Sequence, residues 1–169
     1  MANILYLVHR MPYPPNKGDK VRSYHLLRHL QRHHRVFLGT FIDDPEDVAH
    51  VPALQALCPD LYIEQLNPRS TKLLSARGLL TGRSLSETYS RHAGLHRWVR
   101  EVQAKHKLDA TVVFSGVMAQ FATPLLPQVP MLVDFVDVDS SKWAQYAPEH
   151  RWPLSWLYRR EGARLLAYE

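Results

Sequence analysis

The sequence predicts an α/β protein in which a parallel β-sheet carries helices on both faces. Two observations lead to this fold class. Short apolar runs alternate along the chain with segments of helical periodicity. The first of these runs, NILYLVH, is apolar almost throughout, which is typical of parallel strands buried on both faces. Such an alternation requires crossover connections and therefore predicts a Rossmann-like fold.

The first strand and helix are separated by a proline-rich loop. NILYLVH covers residues 3–9, and the next segment, MPYPPNKG, contains three prolines that exclude both helix and sheet. A helix is predicted from about Asp19 to Arg32, with Asp19 as its N-cap. Its apolar positions recur at helical spacing: Val21, Tyr24, Leu27 and Leu30.

Four further strands are predicted along the rest of the chain: RVFLGTFI, LYIEQL, ATVVFSG and MLVDFVDVD. A short helix is expected between the second and third strands, ending near Leu57. Further helices are predicted around residues 70–80, 91–106 and 155–169. Asp139 or Ser140 is expected to cap a helix that begins near Lys142. All 169 residues are assigned to a single domain.

Composition limits the class of protein. The chain has 46% apolar and 22% charged residues, as is typical of a soluble globular protein. A single cysteine, Cys58, excludes an internal disulfide and a cysteine metal framework. No apolar segment is long enough to span a membrane and no signal peptide is recognisable, so a cytoplasmic location is expected.

The net charge of +5 is unevenly distributed. Residues 69–107 contain nine Lys and Arg against two Glu, a net charge of +7, which favours an anionic partner. Nucleic acid is not predicted, because the aromatic residues interleaved with these cations are mainly Tyr89 and Trp98. An anionic membrane surface is the alternative. Within this stretch, residues 91–106 are expected to form a helix that packs on the sheet. For residues 69–83, packing on the sheet and binding to an anionic membrane both stay open.

The loop after the first strand contains a candidate phosphate site. Gly18 precedes a helix, whose first N–H groups favour an anion, and charged side chains surround it: Lys17, Asp19, Lys20 and Arg22. The dinucleotide motif GxGxxG and the P-loop motif are both absent. Two interpretations remain open, a phosphate cradle and an ordinary strand-to-helix turn.

Two other strand ends face the same predicted edge, where open parallel sheets bind ligands. Ser115 and Gly116 follow the fourth strand in a turn that would let a ligand lie over Gly116. Asp137, after the fifth strand, is a candidate for binding a sugar hydroxyl or taking its proton. His25, His29 and His33 share a side of the first helix but lack a completing cysteine or acid, so no metal site is predicted.

Taken together, these segments resemble a known enzyme family. ILYLVHRMPYPPNKGDKVRSYHLLRHLQRHHRVFLGTF, LVDFVDVDSSKWAQYA and YRREGARLLAYE are similar to the N-terminal half of group 1, family 4 glycosyltransferases. The similarity is greatest to the sugar transferases associated with exosortase and exopolysaccharide gene clusters. It extends over essentially all 169 residues.

This resemblance implies an N-terminal, acceptor-side domain of the two-domain GT-B fold, with the C-terminal donor-binding domain absent from the chain. The implied activity is retaining transfer of a sugar from a nucleotide-sugar donor to a glycan or lipid-linked acceptor. No cofactor or metal is implied, and this half alone is expected to be inactive. The implied location is cytoplasmic or peripheral at the inner membrane. The chain also stops within a predicted helix, which fits a longer protein.

The resemblance also assigns roles to individual residues. It brings Gly18 close to the donor diphosphate with Lys17 and Asp19 beside it, although the family often has two glycines here. Many relatives have a histidine after the fifth strand, near the reacting sugar, and Asp137 is the nearest candidate for that place. The alternative is a stand-alone Rossmann-like module that binds a phosphorylated small molecule.

Overall fold

The computed structural model describes residues 1–66, 84–89 and 91–169. The strands in these ranges are β1 (Asn3–Val8), β2 (Arg35–Ile42), β3 (Leu61–Gln65), β4 (Ala110–Phe114) and β5 (Met131–Asp134). The α-helices are α1 (Gly18–Gln31), α2 (Val51–Leu57), α3 (Leu85–Tyr89), α4 (Ala93–Lys105), α5 (Ala119–Ala122), α6 (Asp139–Tyr146) and α7 (Leu154–Tyr168). The helix predicted around residues 70–80 lies outside the described residues.

The chain divides into two compact units. Among the described residues, the first unit contains residues 1–66 and 92–136, and the second contains residues 84–89, 91 and 137–169. The first unit is built on a five-stranded sheet in the order β3-β2-β1-β4-β5, and every pairing is parallel. Helices flank the sheet, so the predicted α/β, Rossmann-like fold is confirmed. Because the strands are parallel, their carboxyl ends meet at one edge.

Helix α1 packs on one face of the sheet. Leu27 is fully buried in an apolar cluster with Tyr6, Met11 and Phe114. The Tyr6 hydroxyl also donates a hydrogen bond to the Ser23 carbonyl at 3.2 Å. These contacts hold the first turns of α1 beside the end of β1, where the candidate site lies.

Helix α4 packs on the opposite face and buries Leu95, Val99 and Val102. Gly39 in β2 makes this close packing possible: a Cβ atom there would lie 2.8 Å from Leu95 Cδ1 and 2.9 Å from Leu7 Cδ2. The prediction that residues 91–106 form a helix packed on the sheet is therefore confirmed.

The predicted bounds of α1 are confirmed to within one residue, but the predicted N-cap, Asp19, is wrong. The helix begins at Gly18 with Lys17 as N-cap, and the Lys17 side chain makes no capping hydrogen bond. Asp19 lies inside the first turn, where its carboxylate accepts a hydrogen bond from Arg10 at 2.8 Å. The predicted apolar face is also partly wrong, since Val21 is exposed and Lys20 is buried.

The fifth strand is shorter than predicted and ends at Asp134. The Asp134 carboxylate accepts a hydrogen bond from the Val136 amide at 3.0 Å, and Val136 has a φ of 67°, outside the extended range of a strand. The expected side-chain cap at the start of α6 is also absent among the described contacts. Instead, the Ser140 hydroxyl bonds to the carboxylate of Glu169.

In the second unit, α6 and α7 cross closely at Gly162. A Cβ atom there would lie 3.1 Å from the Ser140 carbonyl oxygen and 3.3 Å from the Ala144 nitrogen. The neighbouring Glu161 is 2% exposed, and its carboxylate accepts hydrogen bonds from the amides of Leu85 and Ser86 at 2.7 and 2.8 Å. Glu161 thereby caps the beginning of α3.

Candidate functional site

The candidate site lies in the first unit at the carboxyl edge of the sheet. The segments that follow β1, β2 and β4 meet at this edge with the end of β5. Ligands of open parallel sheets bind outside this edge. The residues singled out from the sequence at the start of α1 therefore lie where a ligand would be expected.

The bend before α1 is open to solvent. Asn16, Lys17 and Gly18 are exposed, and a Cβ atom added at Gly18 would meet no atom within 4 Å. The first amide groups of a helix have no partner within the helix, and here the N-cap side chain does not supply one. The bend can therefore admit an anion close to the backbone, as the phosphate-cradle interpretation requires.

The exposed cations of the bend each bind a carboxylate. Lys17 Nζ lies 3.1 Å from Asp44 Oδ2, and Arg22 Nη2 lies 2.7 Å from Asp134 Oδ2. The hydrogen bond between Lys17 and Asp44 raises the pKa of the ammonium group and lowers the pKa of the carboxyl group. Both pairs are solvent-exposed on the cation side, where ion pairs contribute little to stability.

Asp19 belongs to a second charged group that Arg10 organises. The Arg10 guanidinium donates to Asp19 Oδ2 at 2.8 Å and to Asp43 Oδ2 at 2.7–2.8 Å. This bridge connects the loop after β1, the start of α1 and the loop after β2. The Asp19 carboxylate is thereby held by a cation of the protein, so its repulsion of a nearby anion is reduced.

Lys20 differs from the other cations because it is buried. Its side chain is 1% exposed, and Nζ lies 2.5 Å from Asp47 Oδ2, whose side chain is 4% exposed. The pair links α1 to the turn of 3-10 helix at Pro45–His50. This geometry gives no support to a phosphate contact from Lys20 and instead indicates a role in holding the first turn of α1.

His9 is a member of the site that the sequence reasoning missed. It directly follows β1, and its ring stacks on Phe114 with centroids 6.1 Å apart. Nε2 lies 3.7 Å from Asp19 Oδ2. Nδ1 is buried and makes no hydrogen bond of normal geometry. The nearby backbone of Phe114 nevertheless favours the protonated ring and acts to raise the pKa of His9.

Burial is the largest influence on His9 and lowers its pKa below 6.5, and the charge of Arg10 lowers it further. Asp19, the Phe114 backbone and Asp43 act in the opposite direction but do not reverse the shift. His9 is therefore neutral at pH 7 and can accept a proton.

The lowered pKa of His9 predicts a pH-dependent stability. Because the unfolded chain binds a proton at His9 more readily than the folded chain, acidification below about pH 6.5 favours unfolding. The contribution of His9 is fully present above that pH and is lost as the pH falls through the folded-state value. Urea unfolding at pH 7 and pH 5 measures the effect. The free energy of unfolding should fall more in the wild-type chain than in His9→Asn, and equal losses would contradict the assignment.

Ser115, Gly116 and Asp137 have different environments. Ser115 is buried directly after β4. Its φ of 83° is a backbone conformation that residues other than glycine rarely adopt. Gly116 lies under Phe135, whose ring carbons would be 3.1 and 3.2 Å from an added Cβ atom. A ligand over Gly116 would therefore have to displace the Phe135 ring. Asp137 is exposed and belongs to the second unit.

The sequence pointed to Lys17, Lys20 and Arg22 but did not identify their carboxylate partners, which are Asp44, Asp47 and Asp134. It also missed the pair of Arg10 and Asp43. The run TFIDD after the second strand was the available signal, because its acids follow the neighbouring strand at the same edge. His9 had a comparable signal, since it directly follows a buried strand. Pairing each acid with its cation requires the tertiary structure.

Other chemistries find little support in the described part of the chain. Cys58 is buried, and burial raises the pKa of its thiol to about 11, so it is not an activated nucleophile. No group of three or more His, Cys, Asp or Glu residues within the described ranges could hold a metal ion. None of the helices described there is long and apolar enough to cross a bilayer.

The fold and this edge define an α/β protein whose parallel sheet has an open, charged carboxyl edge. No family model, curated protein or solved structure matches the chain.

Proposed function

We propose that this chain is the acceptor-side domain of a retaining glycosyltransferase of the GT-B type. The enzyme would transfer a sugar from a nucleotide-sugar donor to a glycan or lipid-linked acceptor in exopolysaccharide biosynthesis. The observation that carries the proposal is the open bend at Gly18, at the start of a 14-residue helix on the carboxyl edge of an all-parallel sheet. The family resemblance described above supplies the reaction.

In this proposal, the donor diphosphate lies against the backbone at Gly18. The start of α1 stabilises its negative charge, because unpaired N–H groups and the helix dipole both favour an anion. Lys17 and Arg22 can turn from Asp44 and Asp134 toward the diphosphate at small cost, because both pairs are exposed on the cation side. Such fixed donors and cations stabilise the leaving group as charge develops on it, so the fold does not require a metal.

The acceptor side of the proposal involves other residues at strand ends. Neutral His9 can accept a hydrogen bond or a proton from an acceptor hydroxyl. Ser115 and Gly116 follow the neighbouring strand β4, and a ligand can reach Gly116 only when the Phe135 ring moves aside. The φ of 83° at Ser115 is the kind of backbone strain that clusters at ligand sites. Asp137 retains the proposed catalytic role that the resemblance assigns to it.

Substitution of Gly18 tests the proposal. Gly18→Leu should reduce sugar transfer about tenfold to a hundredfold, because the side chain blocks the approach of the diphosphate to the backbone. The space around Gly18 is open, so the variant should keep the wild-type melting temperature. The measurement is transfer from radiolabelled nucleotide sugars to lipid-extractable acceptors by the longest natural polypeptide that contains this chain.

Gly18→Ala is the matched control, because it adds a single methyl group at the same open position and should retain most of the activity. A fully active Gly18→Leu enzyme would indicate that the bend is an ordinary strand-to-helix turn and not a phosphate site. The absence of transfer by the wild-type polypeptide with every donor would contradict the proposal itself.

Calorimetry distinguishes the transferase from the stand-alone binding module. The 169-residue chain should bind nucleoside diphosphates weakly, with a Kd above about 1 mM, because in the proposed two-domain enzyme the C-terminal domain makes most of the contacts to the donor. A Kd below about 10 µM that Gly18→Leu abolishes would favour the binding module.

A further inference from the structure

A group of large apolar side chains is exposed in the second unit, where α7 begins. Trp152 is 81% exposed, Trp156 is 55% exposed and Leu154 is 45% exposed, all within five residues of the chain. Within the part of the chain that the structure describes, neither indole has an aromatic or cationic partner. Large apolar residues this exposed and this close in the chain indicate an interaction surface around the beginning of α7.

Exposed cations flank these side chains. Arg151 precedes Trp152, and Arg159 lies one turn beyond Trp156 on α7. We call the set Arg151, Trp152, Leu154, Trp156 and Arg159 the tryptophan patch. The nearest exposed acid in the sequence is Glu149, so the patch itself is positively charged.

Aromatic contacts hold residues that neighbour the patch in the chain. The His150 ring meets Tyr158 edge-on with centroids 4.9 Å apart, and Tyr158 packs on Trp143 at 5.1 Å. Packed rings therefore hold the chain segment that carries the patch, which reduces the entropic cost of binding a surface.

The described part of the basic stretch at residues 69–107 lacks this combination. The apolar residues of α4, Leu95, Val99 and Val102, are buried against the sheet, and its outer face presents cations such as Arg97 and Arg100. A membrane surface requires apolar side chains that can enter the headgroup layer as well as cations that meet the phosphates. Of these two described surfaces, only the tryptophan patch meets both requirements.

We propose that the tryptophan patch binds the headgroup layer of an anionic lipid bilayer. Indole rings prefer the membrane interface, because they bury an apolar body there and keep a polar N–H near the headgroups. Arg151 and Arg159 then meet lipid phosphates, so binding depends on anionic lipid and weakens with salt. This surface is independent of the proposed transferase activity.

Vesicle flotation tests the proposal with the 169-residue chain. Wild-type protein should float with vesicles made of equal parts phosphatidylcholine and phosphatidylglycerol, but not with phosphatidylcholine alone. Brominated lipids should quench its tryptophan fluorescence. Trp152→Ser/Trp156→Ser should weaken binding about tenfold or more and should remove most of the quenching. The melting temperature should stay unchanged because both residues are exposed.

Matched charge variants locate the surface. Arg151→Gln/Arg159→Gln should weaken binding to the anionic vesicles, whereas Arg28→Gln/Arg32→Gln removes the same charge from exposed positions of α1 and its C-cap and should not. Arg97→Gln/Arg100→Gln on α4 should also bind normally.

Three results would overturn the proposal. The first is wild-type protein that binds no vesicles, and the second is loss of binding only in the α4 variant. The third is concentration-dependent self-association in sedimentation that Trp152→Ser/Trp156→Ser abolishes without any vesicle binding, which would assign the patch to a second copy of the chain.

Discussion

Replacing Lys20 with methionine is expected to lower the free energy of unfolding by roughly 3–5 kcal/mol. The substitution leaves the Asp47 carboxylate buried without the ammonium group that lies 2.5 Å from it. A buried charge without a partner is strongly destabilising, because neither water nor another charge replaces the lost interaction. Urea unfolding followed by circular dichroism measures the difference.

A double variant tests whether the loss of stability comes from the unpaired Asp47 carboxylate. Asp47→Leu in the Lys20→Met background should recover most of the lost stability, because an apolar pair removes the unpaired charge. Lys17→Met is the matched control at the exposed Asp44 pair and should leave the unfolding curve nearly unchanged. An equal effect of both lysine substitutions would contradict the structural role assigned to Lys20. If the stable double variant retains transferase activity, the predicted phosphate contact of Lys20 is wrong.

Replacing Glu161 with alanine is expected to cost roughly 2–4 kcal/mol in the second unit. The carboxylate accepts the amide hydrogen bonds of Leu85 and Ser86, and its loss leaves both donors at the start of α3 without this acceptor. Hydrogen bonds to charged acceptors are stronger than neutral ones, so two losses produce a large effect. Hydrogen exchange of residues 85–89 should accelerate, and the free energy of unfolding should fall.

Glu161→Gln is the conservative comparison. Its amide oxygen can still accept one of the two hydrogen bonds, so the loss of stability should be clearly smaller than in the alanine variant. Unchanged exchange in residues 85–89 of Glu161→Ala would show that the Ser84 side chain, which accepts the Glu87 amide at 2.9 Å, caps α3 sufficiently by itself.

The fold was predictable in large part because β1 and β2 are buried almost throughout and therefore read as continuous apolar runs. The predicted strand RVFLGTFI coincides with β2, residue for residue, since a continuous apolar run ends where the polar turn begins. Strand order was not predictable from such runs, because no local pattern specifies which strands pair. The end of β5 was also missed, because the turn at Val136 depends on a hydrogen bond to the Asp134 side chain.

The candidate site was predictable in position but not in its electrostatics. Gly18 and its cations follow a buried strand, which is a local signal. Their partners are distant in sequence: Asp44 is 27 residues from Lys17, and Asp134 is 112 residues from Arg22. The burial of Lys20 was likewise unpredictable, because its partner Asp47 is 27 residues away in the sequence and lies beside it only in the folded protein.

Because Gly39 has no side chain, its neighbours are constrained in any homologous protein. Leu7 and Leu95 fill the space that any larger residue in the middle of β2 would need, and the Trp98 ring lies 3.1 Å from the same position. In a homologous protein with a larger residue at this position, the side chains opposite it would have to shift or be replaced by smaller ones. These four positions should therefore covary among descendants of a common ancestor.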